Sequence, residues 1–131
     1  MPQRLAQLAL TVLDYDDAIR FYVDKLGFEL IEDTDMGSGK RWVRVRPPGA
    51  PPGGAELLLA RAVDDAQRAS VGNQTGGRVF LFLETDDFEH DFEAYTAKGV
   101  RFVRPPSKQP YGTVAVFEDL YGNRWDLVGR V

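Results

Sequence analysis

Two carboxylates of this chain are candidates for chemistry, and one of them lies close to the C-terminus. Asp126 belongs to FEDLYGNRWDLV (Phe117 to Val128), which is predicted to be a strand end, a turn at Tyr121-Gly122-Asn123 and a last strand. Side chains alternate across a strand, so Asp126 points away from its two apolar neighbours. Asp126 is then a metal ligand, a substrate-binding group or a solvated charge. With Glu56 it would form a general acid–base pair if burial raised one of the two pKa values.

Other reaction types find little support in the sequence. The chain has no cysteine, which excludes a thiolate nucleophile, a thiolate zinc site and a disulfide framework. The single histidine, His90, falls in a predicted helix and is interpreted as a helix-surface residue. The segment GSGK (Gly37–Lys40) lacks the spacing and the strand-to-helix setting of a phosphate loop, so it is interpreted as a hairpin turn.

Length and charge limit the classes of protein further. The 131 residues carry 16 Lys and Arg against 20 Asp and Glu, for a net charge of −4, which gives no electrostatic footprint for nucleic acid or an acidic membrane. No apolar run approaches the roughly 20 residues that span a bilayer. The first residues, MPQRLAQLAL, lack the apolar core of a signal peptide. A single domain in the cytoplasm is the expectation.

An internal repeat predicts the architecture. Leu5–Leu30 and Gly77–Val103 both contain a strand, aspartates at a helix start, an amphipathic helix and then a glycine. Aspartate caps free N–H groups at a helix start, and glycine permits the left-handed conformation that ends a helix. Each half is therefore predicted to begin as strand, helix and turn.

Three further strands are predicted in each half, with a short helix near residues 63–69 between the halves. The first half has Glu29–Asp35, Arg41–Arg46 and Ala55–Ala60, and the second has Arg101–Arg104, Thr113–Glu118 and Arg124–Val128. The segment from Pro105 to Pro110 is interpreted as a turn. The prediction is an α+β domain over residues 1–131, with a βαβββ module at 5–60, a linker at 61–77 and a second βαβββ module at 78–131. The modules would pair within a chain or across a dimer.

Strand alternation predicts which residues face away from the helices. Leu57, Leu59, Trp125 and Leu127 are expected in the core, and so are Val79, Leu81 and Leu83. Four positions at matching places of the repeat are expected on the opposite, concave face: Gln7, Glu56, Phe80 and Asp126. Leu58 is an alternative to Glu56. A concave surface of this kind is the default place for a ligand.

Three segments carry a resemblance to a known family. DYDDAIRFYVDKLGF, TDDFEHDFEAYTAKGVRF and FEDLYGNRWDLV resemble the vicinal oxygen chelate superfamily, which includes glyoxalases, bleomycin-resistance proteins and extradiol dioxygenases. The resemblance implies two modules that form an incomplete curled barrel around a pocket. It places Gln7, Glu56 and Asp126 at metal-ligand positions of the metal-using members, and it places Phe80 where those members have a histidine.

The missing nitrogen donor at Phe80 favours a protein without a metal cofactor. The alternative is a divalent ion (Mg, Mn, Ni or Zn) bound by Gln7, Glu56 and Asp126. Further aromatic side chains would border the pocket, and acidic side chains, Glu84 among them, would favour a cationic or hydroxyl-rich ligand. The added aromatic candidates are Phe82, Trp42 and Tyr111.

The predicted function is therefore small-molecule binding in an inter-module pocket by a homodimer, without nucleic-acid or membrane partners. The alternative is a metal-dependent, glyoxalase-like lyase or isomerase. In that enzyme the metal would polarise a carbonyl or enediolate oxygen of the substrate, and Glu56 or Asp126 would move a proton.

Overall fold

The computed structural model describes residues Met1–Val131 and divides them into two compact units, Met1–Val71 and Gly72–Val131. Both units follow the order strand, helix and three strands, so the predicted βαβββ repeat is confirmed. No helix has the length and apolar character needed to cross a membrane.

The first unit contains one four-stranded sheet. Its strand order is β1-β4-β3-β2, with β1 parallel to β4 and the other neighbours antiparallel. The elements are β1 (Gln7–Val12), α1 (Tyr15–Ile19) with a π-helical continuation (Arg20–Lys25), β2 (Glu29–Gly37), β3 (Lys40–Arg46), β4 (Glu56–Arg61) and α2 (Asp65–Ser70).

The second unit repeats this connectivity. Its strand order is β5-β8-β7-β6, and β5 is parallel to β8. Neither sheet closes on itself, so both remain open sheets with one helix-covered face. The elements are β5 (Val79–Thr85), α3 (Phe88–Ala97), β6 (Arg101–Gln109), β7 (Gly112–Glu118) and β8 (Arg124–Arg130).

The helix boundaries follow from the residues that flank them. The carboxylate of Asp14 accepts a hydrogen bond from the Asp17 backbone N–H at 2.9 Å, and Asp87 caps α3 in the same way at 3.1 Å. Gly27 has a φ of 76°, in the left-handed region that suits glycine. The predicted caps and stops are confirmed, whereas the π-helical turn before Gly27 has no clear signal in the sequence.

The core of each unit lies on the helix-covered face of its sheet. The predicted core residues Leu57, Leu59, Trp125 and Leu127 are all buried. In the second unit Phe117 stacks on Trp125 with 5.9 Å between ring centroids. Aromatic pairs of this kind add to the free energy that comes from burying apolar area. Strand alternation was a sound guide to the core at these four positions.

The interpretation of Pro105 to Pro110 as a turn is wrong. Strand β6 runs through both Pro105 and Pro106 to Gln109, and the chain turns at Pro110 and Tyr111. Proline lacks the N–H that a central strand needs, but β6 is the edge strand of its sheet. Its pairing with β7 also shifts register between Arg104 and Ser107, which accommodates the prolines.

The turn before β8 is held by a buried carboxylate. Asp119 accepts hydrogen bonds from the Tyr121 and Asn123 backbone N–H groups and from the Asn123 amide, each at 2.9 Å. Gly72 packs on the same turn, where a Cβ atom would come within 1.9 Å of the Tyr121 carbonyl oxygen. The sequence predicted the turn at these positions, and its buried polar centre emerges only from the fold.

Candidate functional site

The first unit brings Gln7 and Glu56 side by side. They are register partners in the parallel pair of β1 and β4. Glu56 forms a salt bridge with Arg44, and the same guanidinium donates from Nε to Glu32 at 2.9 Å. Hydrogen bonds to Glu56 and Glu32 raise the pKa of Arg44. Glu56 is therefore an ion-pair partner rather than a free base or a free metal ligand.

The other arginines of β3 are paired in the same manner. Arg41 contacts Asp33 at 2.7 Å and Asp16 at 2.9 Å, and Arg46 contacts Glu29 at 2.9 Å. The hydrogen bonds from arginine hold the pKa of Asp33 and of Glu29 below the ordinary value. All three arginines of β3 are thus paired with carboxylates of the first unit.

Trp42 lies in a cavity of the first unit, together with Leu58 and Tyr15. The cavity has a volume of about 440 Å³. The guanidinium groups of Arg41 and Arg61 lie over the Tyr15 ring, at 5.1 and 5.6 Å from its centroid. Leu58, the alternative to Glu56, lines this cavity, whereas Gln7 and Glu56 do not.

The second unit places Asp126 in a cavity on its open sheet face. Asp126 is the register partner of Phe82 on β5 and of Val116 on β7. The cavity has a volume of about 540 Å³ and is lined by Gly77, Arg78, Val79, Phe82, Arg104, Arg124 and Asp126. Of the residues predicted for the ligand site, Phe82 and Asp126 therefore meet in one cavity.

A bulge in β5 decides which residues share the face of Asp126. Val79 pairs with Arg124 and Phe82 pairs with Asp126, so β5 has one more residue than β8 between these two pairs. The expectation that Val79 packs under the helix is wrong, because the bulge shifts the alternation and Val79 lines the cavity. Phe80 lies in the bulge, half-buried and outside the residues that line the cavity.

The charges in this cavity differ from those expected. Glu84, expected to make the site acidic, is paired with Arg130 at 2.9 Å. Arg78, Arg104 and Arg124 line the cavity and make no salt bridge. Burial raises the pKa of the Asp126 carboxyl, against a smaller opposite effect of Arg104. The lining of this cavity, with three arginines and one carboxylate, is cationic.

Two further candidates lie outside both cavities. Tyr111 is half exposed in the turn between β6 and β7, where its carbonyl accepts a hydrogen bond from the Val131 backbone N–H at 3.3 Å. His90 is exposed on α3, as its interpretation as a helix-surface residue requires.

The donor groups present do not fit a divalent metal. The structure contains no group of three or more His, Cys, Asp or Glu side chains that could hold a metal ion. Within the first unit the one carboxylate beside Gln7 is already bound to Arg44. Within the second unit the carboxylate of Asp126 shares its cavity with arginines, which oppose a cation.

Sequence reasoning named none of the three arginines of the second cavity as a site residue, although alternation places Arg124 on the face of Asp126. Arg124 lies two residues before Asp126 in the same strand, so any face that contains Asp126 also contains Arg124. Arg78 precedes the bulge and Arg104 precedes two prolines in β6, and simple alternation does not place either residue.

The chain thus consists of two βαβββ units, each with one open sheet, and the second unit has a ligand-sized cavity without a reactive cluster. A fold of this class supports binding as well as catalysis. The chain belongs to the Glyoxalase/Bleomycin resistance protein/Dioxygenase superfamily, whose family model matches residues 4–127. The resemblance noted in the sequence is thereby confirmed.

Three relatives illustrate the range of this similarity. An uncharacterised protein of Shewanella frigidimarina is 59% identical over 129 residues, which cover 98% of this chain and 94% of the relative. The crystal structure of UcmS2 is 34% identical, with a TM-score of 0.84 and coverage of 98% of both chains. The crystal structure of TnmS3, an antibiotic binding protein from Streptomyces sp. CB03234, is 28% identical, with a TM-score of 0.78 and coverage of 99% of this chain and 98% of the other.

Proposed function

We propose that this protein binds a small organic molecule with a planar, apolar face in the cavity of the second unit, and that it binds this molecule without metal and releases it unchanged. The observation that carries the proposal is Phe82, a large aromatic side chain that is 68% exposed in the middle of a strand. It forms one wall of a cavity whose other lining residues include Asp126 and three arginines.

Phe82 offers a surface that water solvates poorly. Exposed aromatic rings bind planar ligands because stacking covers the ring face and adds quadrupole and dispersion contacts. A cavity of about 540 Å³ is of the size that holds a drug-sized ligand. An apolar ring beside Asp126 and three arginines combines a stacking platform with polar groups that orient a ligand.

The absence of a paired base and nucleophile in the cavity favours binding over catalysis. Asp126 has no second carboxylate, histidine, serine or cysteine among the lining residues. The description of TnmS3 as an antibiotic binding protein, at 28% identity over nearly the whole of both chains, supports the same proposal. We extend small-molecule binding to this chain as part of the proposal.

The alternative is a metal-dependent lyase or isomerase. It can be tested by measuring whether a metal ion stabilises the folded state. A ligand that binds only the folded state at 100 times its Kd stabilises that state by about 2.7 kcal/mol. Addition of 1 mM Mg²⁺, Mn²⁺, Ni²⁺ or Zn²⁺ should therefore leave the thermal midpoint unchanged. A rise of several degrees that Asp126→Ala or Gln7→Ala abolishes would support the metal-dependent alternative.

Calorimetric titration with 2-naphthamide, a neutral planar compound, tests the binding proposal directly. We expect Phe82→Thr to weaken binding by at least about tenfold. Tyr111→Thr removes an aromatic of similar exposure outside the cavity and should leave binding unchanged. Mass spectrometry should recover the compound intact. Binding that is insensitive to Phe82→Thr, or conversion of the compound, would overturn the proposal.

A further inference from the structure

We infer that the ligand of the second-unit cavity carries a negative charge, such as a carboxylate or an acidic phenol, which Arg78, Arg104 and Arg124 hold while Phe82 stacks on the planar part. This inference rests on the proposed function and names the chemical class of the ligand.

The pairing of arginines differs between strand β3 of the first unit and the cavity of the second unit. In the first unit, Arg41, Arg44 and Arg46 all form salt bridges with carboxylates of the same unit. In the second-unit cavity, Arg78, Arg104 and Arg124 have no carboxylate within salt-bridge distance. The arginines of β3 are therefore neutralised by neighbouring carboxylates, whereas the three arginines that line the second-unit cavity make no salt bridge.

The three arginines reach the cavity from three different segments. Arg124 begins β8 and is the register partner of Val79, while Arg78 directly precedes β5. Arg104 lies on the edge strand β6, opposite Val116, which in turn pairs with Asp126. Three separate segments therefore contribute arginines to the cavity lining, while Phe82 and Val79 supply its apolar part.

Guanidinium chemistry favours a planar oxyanion in this position. Arginine stays charged at any physiological pH and forms two parallel hydrogen bonds with a carboxylate. Asp126 is the one carboxylate among the lining residues. Its oxygens would accept a hydrogen bond from a hydroxyl or amide N–H of the ligand.

Three naphthalene compounds that differ in charge test the inference: 2-naphthoate, 2-naphthamide and 2-naphthylmethylammonium. We expect naphthoate to bind about tenfold more tightly than naphthamide, and the ammonium compound to bind most weakly, as measured by calorimetry at low salt. Added 0.5 M NaCl should weaken naphthoate binding and leave naphthamide binding nearly unchanged, because salt screens exposed charges.

Variants then assign the charge preference to the cavity. Arg124→Gln should weaken naphthoate binding by about tenfold and naphthamide binding by much less, because the neutral amide loses no ion pair. Arg101→Gln is the matched control, since Arg101 lies on β6 but does not line the cavity. Circular dichroism and the urea midpoint of each variant establish that the fold is retained. If Arg124→Gln does not fold, Arg78→Gln at the exposed end of β5 provides the same comparison.

The outcomes separate the two proposals. Equal affinity for the three compounds, or tightest binding of the ammonium compound, would overturn the charge inference and leave small-molecule binding intact. The same follows if Arg101→Gln weakens naphthoate as much as Arg124→Gln does. Failure of all three compounds to bind at millimolar concentration would overturn the proposed function and the inference together.

Discussion

Replacement of Phe82 by threonine should separate binding from stability in a single variant. A phenylalanine side chain has a surface of roughly 200 Å², and 68% of the Phe82 surface is exposed. A ligand stacked on one ring face covers about half of that exposed area, or roughly 70 Å². At about 25 cal/mol per Å² this contact contributes about 1.7 kcal/mol, which is more than a tenfold change in Kd.

The same arithmetic sets an upper limit on the loss of stability. The buried third of Phe82 is roughly 60 Å², so the variant should lose at most about 1.5 kcal/mol of unfolding free energy. Threonine also suits a strand, which reduces this loss. By contrast, Phe117 is 0% exposed. Its replacement by alanine should lower the unfolding free energy by about 3 to 5 kcal/mol.

Two measurements on Phe82→Thr test this reasoning, namely calorimetric titration with 2-naphthamide and urea unfolding followed by tryptophan fluorescence. We expect a large change in Kd with a small change in the urea midpoint. A Kd equal to that of the unmodified protein would refute the assignment of Phe82 as the stacking platform. A loss of unfolding free energy close to that of Phe117→Ala would refute the placement of Phe82 on an exposed face.

Three further predictions concern the turn, the cavity and the assembly. Asp119→Ala should destabilise the fold by about 3 kcal/mol or more in urea unfolding, because three N–H donors lose a buried acceptor; a change below 1 kcal/mol would contradict the burial of this turn. Asp126→Asn should raise the unfolding free energy at pH 7. Burial raises the pKa of Asp126 in the folded state, so the folded state binds this proton more tightly than the unfolded chain does. The stabilisation that this proton gives is therefore complete below a pH of about 3.9 and is lost as the pH rises through the folded-state pKa. The gain in unfolding free energy from Asp126→Asn should then grow with rising pH, and a gain that shrinks would contradict this sign. We also predict a homodimer, since each sheet leaves one face without helices, and light scattering should give twice the chain mass of 14.7 kDa.

The two halves of the chain share a topology but use their open sheet faces differently. The first sheet carries Arg44 and Arg46 on one face of β3, and these pair with Glu32, Glu56 and Glu29 on the neighbouring strands. The second sheet has apolar residues such as Val114 and Val116 on the equivalent strand β7. Arg104, opposite Val116, therefore has no carboxylate within salt-bridge distance, which leaves its charge available to a ligand.

Much of the fold was predictable because it depends on local signals. Aspartate caps, terminal glycines and period-two alternation act within a few residues of one another, so the βαβββ repeat and core residues such as Leu59 and Trp125 follow from the sequence. Strand ends were less predictable. Pro105 and Pro106 indicate a turn locally, yet the edge position of β6 allows the strand to continue through them.

The candidate site was only partly predictable, because it depends on register. The face that contains Asp126 follows from alternation within one strand, and Phe82 lies on that face as expected. The bulge in β5 then exchanges Phe80 for Val79 in the cavity lining, and a single added residue reverses alternation for the rest of the strand. The placement of Phe80 at the histidine position of the metal-using family members stays a prediction, since Phe80 does not line this cavity.

By itself the sequence determined the repeat, the helix limits, the core face of each sheet and the absence of cysteine and of a second histidine. Only the tertiary structure decided the electrostatics, because the charge of a site depends on which strands are neighbours. Glu56 appeared to be a free carboxylate until β3 placed Arg44 beside it. The arginines around Asp126 appeared unrelated until three separate segments brought them into one cavity. Coulomb energies depend on distance in space, and distance along the chain does not determine them.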